Sequence, residues 1–292
     1  MRAGADAASQ PIQVILNADD FGRSRAINAA IMQAHREGVL TSASLMVTGD
    51  ACDAAVALAR AAPTLAVGLH LVVSAGRPAL HPREIPHLVD ASGRFPDDPL
   101  RAGLRYTFDR AARRELAREI AAQFERFAAT GLPLSHVDGH QHLHLHPAVF
   151  NLLLPLARQY GTHGVRVPAD DLRLALCYDH RGASAKIGWA AGLGLVLGWC
   201  RRRARTSGLA VADRVYGVFQ SGQMTESYVL KVLGELKART AELYFHPSLE
   251  AQGEALGPNP GDLATLLSPA VRGVIVERGL RLATYATLEG LE

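Results

Sequence analysis

The chain has 292 residues, of which 48% are hydrophobic and 20% are charged. This balance excludes a disordered chain, because that much apolar surface can offset the entropy cost of folding. The 31 Lys and Arg residues against 28 Asp and Glu residues give a net charge of +3, which is too balanced for a protein that coats nucleic acid. We therefore expect one large domain with insertions and no nucleic-acid partner.

Short apolar runs that are typical of buried strands alternate along the chain with longer segments of helical periodicity. Strands are predicted at 12–16, 43–47, 66–71, 134–138, 164–167, 213–219, 241–245 and 280–285. This alternation predicts a parallel α/β sheet, either open or closed into a barrel. The segment from Ser74 to Asp109 is rich in Pro, Gly and Arg and is predicted to be a long loop, of the length usual for functional lids or insertions.

The cysteines and the start of the chain bear on its compartment. Cys52, Cys177 and Cys200 are odd in number and contain no C-x-x-C pair, which argues against a disulfide scaffold. Residues 1–11 are expected to be a disordered tail, and they lack the apolar core of a signal peptide. We therefore expect a cytoplasmic protein.

Polar motifs stand at or just after the carboxyl ends of four predicted strands, where parallel α/β folds form their active sites. These motifs lie at 17–22, 68–70, 136–140 and 244–247. In the first, Asp19 and Asp20 leave the strand in different directions, so one can bind a cation while the other stays free as a base. A turn in which Asp20 caps the next helix is an equally good interpretation.

Histidines dominate the other motifs. His70 ends a strand, where a lone histidine is a metal ligand or an ordinary core residue. His140 is predicted to be a ligand, because Gly139 permits the turn that would bring it towards an ion. Alternate strand residues share a face, so the whole run cannot bind one ion. The later members, His142, His144 and His146, are predicted to line the pocket or support it. Two alternatives stay open: a nonspecific metal-binding tract, or histidines at the N-terminus of the helix that begins at Pro147.

Two histidines and one carboxylate leave positions open for water and substrate, as in catalytic rather than structural zinc sites. His246 lies between a strand and Pro247, where it could protonate a leaving group or be an ordinary loop histidine. Arg166 has apolar neighbours, which indicates either a buried arginine paired with a carboxylate such as Asp19 or a surface residue on an edge strand.

At these residues the chain resembles the YdjC-like carbohydrate deacetylases, a metal-dependent family that includes the chitooligosaccharide deacetylases. The matching motifs are residues 17–22, the Gly-Leu-His that ends at His70, the His-Val-Asp-Gly-His that ends at His140, and His246 with Pro247. They follow one another in family order across nearly the whole chain. The resemblance implies an α/β fold, a distorted (β/α) barrel of the glycoside hydrolase/deacetylase type. This barrel would occupy residues 12–292 as a single domain, with insertions at about 74–108 and 170–210.

The resemblance also implies removal of an N-acetyl group from a sugar by a water that a divalent ion, zinc or magnesium, activates. Asp20, His70 and His140 would hold that ion. Asp19 would be the base and His246 the acid. Arg166 is grouped with these two as catalytic, and the predicted substrate-binding set is His142, His144 and Asp138.

Within the family the chain looks most like the hopanoid-biosynthesis-associated branch, whose substrate class is the N-acetylglucosaminyl hopanoid lipids. The supporting feature is the insertion near residues 170–205, in which an apolar run at 187–200 precedes four arginines. Because the run is shorter than the roughly 18 apolar residues of a spanning helix, residues 186–205 are predicted to lie peripherally in an anionic lipid interface at the inner membrane face. A buried crossover helix with a solvated arginine cap is the alternative.

Other functions stay open at this point. A soluble chito-oligosaccharide is the alternative substrate. Metal-dependent phosphoester hydrolysis usually requires two ions and more clustered carboxylates than this sequence shows. A non-catalytic glycolipid-binding protein would be indicated by loss of Asp19 or of a ligand, and all these residues are present. The sequence leaves the oligomeric state open.

Overall fold

The computed structural model describes residues 11–251, 253–254 and 256–288. The predicted tail therefore lies outside the described residues, except for Pro11. The strands of the described part are β1 Gln13–Phe21, β2 Ser42–Leu45, β3 Ala66–Leu71, β4 Leu134–Gly139, β5 Gly164–Val165, β6 Arg214–Tyr216, β7 Thr240–Phe245 and β8 Arg281–Leu282. Its α-helices are α1 Arg25–Glu37, α2 Cys52–Arg60, α3 Pro99–Phe108, α4 Arg110–Ala129, α5 Pro147–Gln159, α6 Leu172–Tyr178, α7 Ala183–Thr206, α8 Glu226–Glu235, α9 Pro260–Leu267 and α10 Pro269–Glu277.

The sheet is parallel throughout its described pairings and has the order β5-β4-β3-β2-β1-β7-β6. Strand β8 pairs with the first residues of β1, ahead of the point where β2 joins it. The helices follow the strands and cover the sheet, which is the half-barrel form of the predicted α/β fold. The predicted fold is therefore confirmed, whereas the division into a single domain with two insertions stays a prediction.

Strand β1 is the centre of the sheet, between β2 and β7. All nine of its residues are buried, including the polar ones. Apolar side chains such as Val14 and Leu16 pack in the main core, while Asn17, Asp19 and Asp20 are buried without being apolar. Buried charges require partners, so this strand alone indicates where the chemistry of the molecule is concentrated.

The segment predicted as one long loop, from Ser74 to Asp109, contains a helix, which is a correction. Asp98 caps α3 by accepting a hydrogen bond from the Leu100 N–H at 2.9 Å, and Pro99 occupies the first turn. This is a strong local start signal. The sequence also has Leu100, Leu104 and Phe108 at helical spacing, but the Pro, Gly and Arg content of the segment favoured a loop.

Helix α7 is the second departure. The helix has 24 residues and extends beyond the uninterrupted apolar run on which the prediction rested. By length and composition it can cross a membrane, so the expectation that it is too short was wrong, yet only 6% of its apolar window is buried. The alternative of a buried crossover helix does not fit that exposure. Its last turns are held by buried Cys200 and Ala204, and Arg201 donates to the Ala212 carbonyl at 2.9 Å.

Candidate active site

The carboxyl ends of β1, β3, β4 and β7 bring the predicted motifs together. His70 on β3 lies directly opposite Asp138 on β4 in the sheet register. Asn17 on β1 lies opposite Tyr244 on β7, two residues before His246. Residues from distant parts of the sequence therefore share one edge of the sheet, as expected for a parallel α/β fold.

A backbone irregularity lets two adjacent carboxylates serve the same site. The pairing of β1 with β2 shifts register between Ala18 and Phe21, and Asp20 has a φ of +64°. In a regular strand neighbouring side chains point to opposite faces, and this turn removes that restriction. Ser24, not Asp20, caps α1 by accepting from the Ile27 N–H. The capping interpretation of Asp20 is therefore excluded.

Asp20, His70 and His140 form a compact group whose nearest ligand atoms all lie within 4.8 Å of one another. The Asp20 Oδ1 atom is 3.5 Å from His70 Nε2 and 3.3 Å from His140 Nδ1. The two imidazole rings meet edge to face, with centroids 5.7 Å apart. One carboxylate oxygen and two ring nitrogens thus converge on a single point.

The surroundings of the Asp20 Oδ1 atom show whether a cation fits between Asp20, His70 and His140. This oxygen is buried and has no hydrogen-bond partner among the described residues, although its sister oxygen accepts from Arg23 at 2.9 Å. A buried carboxylate oxygen without a partner costs free energy unless a cation or proton satisfies it. A second group, Asp19 with His70 and Asp138, is equally compact. Its carboxylates, however, are already engaged by Arg166.

Asp138 holds the imidazole ring of His70 in a defined orientation. The His70 Nδ1 atom lies 2.8 Å from Asp138 Oδ1, which leaves Nε2 to face Asp20. A carboxylate behind a histidine is the usual support of a metal-binding imidazole. Burial alone would lower the pKa of His70, but Asp138 outweighs burial, with contributions from Asp19 and Asp20, and raises it to about 9. The surroundings therefore favour positive charge at this position.

The pKa of Asp20 is also displaced. Burial alone would raise it, but His140, His70 and Arg23 outweigh burial and hold the pKa well below its ordinary value. The carboxylate is therefore ionised across the physiological range.

Arg166 is fully buried and binds three carboxylates at once. It donates to Asp19 through Nη1 at 2.7 Å and through Nη2 at 2.8 Å, in the parallel arrangement that fits a carboxylate. Asp138 Oδ2 lies 2.9 Å from Nη1, and Glu242 Oε1 accepts from Nε at 2.9 Å. Burial alone would raise the pKa of Asp19, but Arg166 and His70 together outweigh burial, and the pKa lies below its ordinary value.

The role predicted for Arg166 requires a correction. Its side chain has no exposed surface and does not line the cavity described below, so it cannot touch a substrate there. Three carboxylates and the face of the Tyr244 ring, 4.5 Å from the guanidinium carbon, enclose it. It is a positioning residue that fixes Asp19.

His246 follows the last residue of β7 and lies near Asp19. Its Nε2 is 3.9 Å from Asp19 Oδ2, and its Nδ1 is buried without a partner among the described residues. Its backbone N–H donates to Asp262 at 2.8 Å, which fixes the residue just after β7. The separation from Asp19 is longer than a hydrogen bond, so the imidazole is free to bond another group in the cavity.

A cavity of about 620 Å³ opens over these residues. Asp19, Asp20, His70, His140 and His246 all line it, together with Arg23, His142, Trp189, Phe219 and Tyr244. A space of this size is in the range of small-molecule sites. A small molecule in this cavity can therefore reach both Asp19 and the convergent ligand atoms.

The predicted substrate-binding set is only partly at the cavity. His142 lines it and lies 3.0 Å from the Tyr244 hydroxyl, while burial lowers the pKa of His142 to about 3. Asp138 and His144 do not line it, and both are fully buried. Asp138 binds His70, and His144 Nε2 lies 2.9 Å from the Arg166 carbonyl. For these two the prediction is corrected: they support the wall and do not form its surface.

The left-handed backbone at Gln141 and His142, with φ of 52° and 56°, separates the histidines of the dense run. It turns successive side chains in different directions, which strand alternation could not have shown. Gly139 is required before this turn, because a Cβ there would lie 2.9 Å from the Cβ of His144.

Several residues of the site were missed by the sequence analysis. Glu242 binds Arg166 and accepts from the Tyr285 hydroxyl at 2.6 Å. Its signal was a lone carboxylate inside an apolar strand, which a buried site requires and a structural strand does not. Ser44 donates to Asp138 at 2.7 Å and accepts from Asn17 at 2.8 Å, but serines in strands are too common to be informative.

These features define an α/β half-barrel protein with an Asp-His-His candidate cation site at the carboxyl edge of its sheet. The chain belongs to the YdjC-like protein family, whose model matches residues 13–277. The family predicted from the motifs is therefore confirmed.

Relatives of the chain carry related names. It is 31% identical to a carbohydrate deacetylase of Geobacillus stearothermophilus over 94% of this chain and 97% of that protein. A chitooligosaccharide deacetylase of Klebsiella pneumoniae is 30% identical over 93% of this chain and 97% of that protein. A carbohydrate deacetylase of Brevibacillus brevis is 46% identical, but over 51% of this chain and 57% of that protein.

A solved structure supports the fold. A protein of Enterococcus faecalis, described as a cellobiose-phosphate cleavage protein, superposes with a TM-score of 0.74 at 24% identity. The match covers 95% of this chain and 98% of the other.

Proposed function

We propose that the protein is a metal-dependent carbohydrate deacetylase that hydrolyses the N-acetyl group of an amino sugar. The unpartnered Oδ1 of Asp20 between two imidazoles, next to a separate carboxylate held by Arg166, is the observation that carries the proposal. Acetamide hydrolysis requires both an electrophilic centre and a base. The names of the full-length relatives support the same activity.

The charge balance of the site supports a cation. The carboxyl groups of Asp19, Asp138 and Glu242 surround one fully buried guanidinium, that of Arg166, while the buried carboxylate of Asp20 is paired with Arg23. Buried charges of one sign repel unless they are compensated. Burial raises the pKa of Glu242, so this group alone can relieve part of the excess as an acid. The raised pKa of His70 indicates that these acids favour positive charge beside Asp20, and a divalent ion could supply that charge in place of a proton on His70. One aspartate and two histidines can bind either zinc or magnesium, so these ligands do not determine which metal is bound.

Different residues of the site have different roles in the proposed hydrolysis. A divalent ion held by Asp20, His70 and His140 would supply Lewis acidity for the acetamide carbonyl. Asp19, ionised and fixed by Arg166, accepts the proton of the attacking water at a carboxylate oxygen. His246, across the site, donates a proton from Nε2 to the departing amine. The products are acetate and a free amino sugar.

The apolar rim of the site supports a sugar carried on a lipid, and we assign this substrate class to the N-acetylglucosaminyl hopanoids. Lys186 and Trp189 of α7 line the cavity, while Ile187 and Leu195 of the same helix are exposed. One helix thus joins the site to an apolar surface. Contact of residues 186–205 with the inner membrane face follows from this proposal. A soluble chito-oligosaccharide stays the second candidate, because a relative bears that name.

Acetate release tests the function directly. The purified protein should release acetate from an N-acetylglucosaminyl lipid faster than from N-acetylated chito-oligosaccharides, and a chelator should abolish both activities. Faster turnover of the oligosaccharide would favour the second candidate. Binding of either sugar without release of acetate would indicate a non-catalytic glycolipid-binding protein, and would contradict the proposal.

A further inference from the structure

Helix α3 exposes a continuous apolar face. Leu100, Leu104 and Phe108 are spaced four residues apart, so they lie on one side of the helix, and they are 69%, 52% and 77% exposed. We call these three residues the α3 stripe. The opposite side is buried through Ala102 and Tyr106. Three large apolar side chains aligned on one exposed helix face are unusual in a protein surrounded by water alone.

The α3 stripe lies near the mouth of the candidate active site. Pro99, the first residue of α3, lines the cavity, as do Lys186 and Trp189 near the start of α7. Both helices pack against α5. Thr107 of α3 lies 3.0 Å from His146, which caps α5, and Trp199 of α7 packs on Phe150 of α5. The two helices therefore flank one element and both lead to the cavity.

The charge of α7 indicates which kind of partner would bind to the exposed faces of α3 and α7. Helix α7 contains Lys186 and four arginines and no acidic residue, and three of the arginines, Arg202, Arg203 and Arg205, are exposed. Next to the α3 stripe, Arg101 and Arg110 are exposed, although Asp97 and Asp98 precede the helix. Basic residues beside exposed apolar ones favour an anionic lipid surface. A second copy of the chain would bring the same basic helix towards its equal, which is unfavourable.

The attachment of α7 argues against a helix that crosses the bilayer. Its last turns are buried in the protein at Cys200 and Ala204, and Trp189 packs against Phe219 nearer its start. Crossing would require these contacts to separate. A helix held along its length can instead rest on the membrane with its outer face.

We propose that the α3 stripe and the exposed face of α7 form a two-helix surface that docks the protein on an anionic bilayer, with the cavity mouth turned towards the lipid. This inference rests on the proposed sugar-lipid function and adds a second contact helix to it. The surface would allow a lipid-linked sugar to enter the cavity while its apolar part stays in the bilayer.

Vesicle flotation tests the surface. Vesicles of equal parts phosphatidylglycerol and phosphatidylcholine should bind the wild type, and phosphatidylcholine alone should bind it less. The triple variant Leu100→Ser, Leu104→Ser, Phe108→Ser should partition at least about tenfold more weakly, since binding scales with buried apolar area. The matched control is Val276→Ser on α10, 72% exposed in the wild type, which should bind unchanged. If the triple variant does not fold, Phe108→Ser alone should still weaken binding.

Equal vesicle binding by the triple variant and the wild type would overturn the inference. Loss of a concentration-dependent dimer in the triple variant, without vesicle binding by the wild type, would assign the surface to a second copy and also overturn it. Acetate release from an N-acetylglucosaminyl lipid and from a soluble chito-oligosaccharide is measured in parallel. Absence of both activities, with vesicle binding that depends on the α3 stripe, would reject the proposed function and leave the docking surface standing.

Discussion

Arg166 holds Asp19 through two parallel hydrogen bonds, from Nη1 to Oδ2 at 2.7 Å and from Nη2 to Oδ1 at 2.8 Å. Both side chains are buried, and two further carboxylates complete the surroundings of the guanidinium. Without the Arg166 guanidinium, the three carboxyl groups of Asp19, Asp138 and Glu242 would face one another in the protein interior. The stability of this arrangement therefore depends on one residue.

Arg166→Met should lower the free energy of unfolding by about 3–5 kcal/mol, the usual cost of breaking a buried ion pair from one side. Urea denaturation measures this change. Arg202→Met, at an exposed position of α7, is the matched control and should change stability little. A loss below about 1 kcal/mol for the Arg166 variant would mean that the carboxylates protonate or find other partners.

The candidate cation site leads to a prediction about the metal content of the purified protein. His70→Ala and His140→Ala should each abolish stoichiometric binding of a divalent ion, because two donors cannot close the group that three form. Elemental analysis of purified protein after dialysis measures the ratio. His163→Ala removes an exposed histidine from another part of the sheet and should retain the ion. Full occupancy in the His70 variant would place the ion elsewhere.

Asp19→Asn tests the base. The variant should keep the ion and lose turnover by about 10²–10⁴-fold, the usual contribution of a general base. Acetate release and elemental analysis on the same sample separate the two effects. Asp53→Asn, on the exposed side of α2, serves as the control. Normal turnover by the Asp19 variant would show that another group accepts the proton.

Asp170 gives a prediction on pH. Burial raises the pKa of this carboxyl from 3.8 to about 6, although the backbone N–H groups of Phe219 and Gly217 donate to it. The folded state thus binds a proton more tightly than the unfolded chain, so this group stabilises the fold at low pH and loses that effect as the pH rises through 6.

The stability of the wild type relative to Asp170→Asn should therefore increase by up to about 2 kcal/mol between pH 7.5 and pH 4.5. Urea denaturation of both proteins at each pH measures the difference, and other titrating groups cancel between them. A difference that is constant with pH would contradict the raised pKa.

The convergence of distant motifs could be predicted from the sequence. Asp20, His70 and His140 each stand at or just after the end of a predicted strand, and parallel strands bring their carboxyl ends to one edge. The burial of His144 could not be predicted, because it follows left-handed backbone at Gln141 and His142. The burial of Asp138 depends on its contacts with His70 and Arg166, which are distant in the sequence. Helix α3 was missed because the Pro, Gly and Arg content of its segment outweighed two local signals, the Asp98 cap and the spacing of Leu100, Leu104 and Phe108.

The position of β1 in the sheet has a consequence for how the protein forms. Its neighbours are β2, which follows it closely in the chain, and two strands that follow much later, β7 and, along its first residues, β8. During synthesis β1 leaves the ribosome early and then waits for most of the polypeptide before its second edge is paired. Strands that depend on such remote partners fold slowly. Until β7 arrives, the acidic residues of β1 lack Glu242 and His246 across from them, so a nascent chain carries an unfinished catalytic centre.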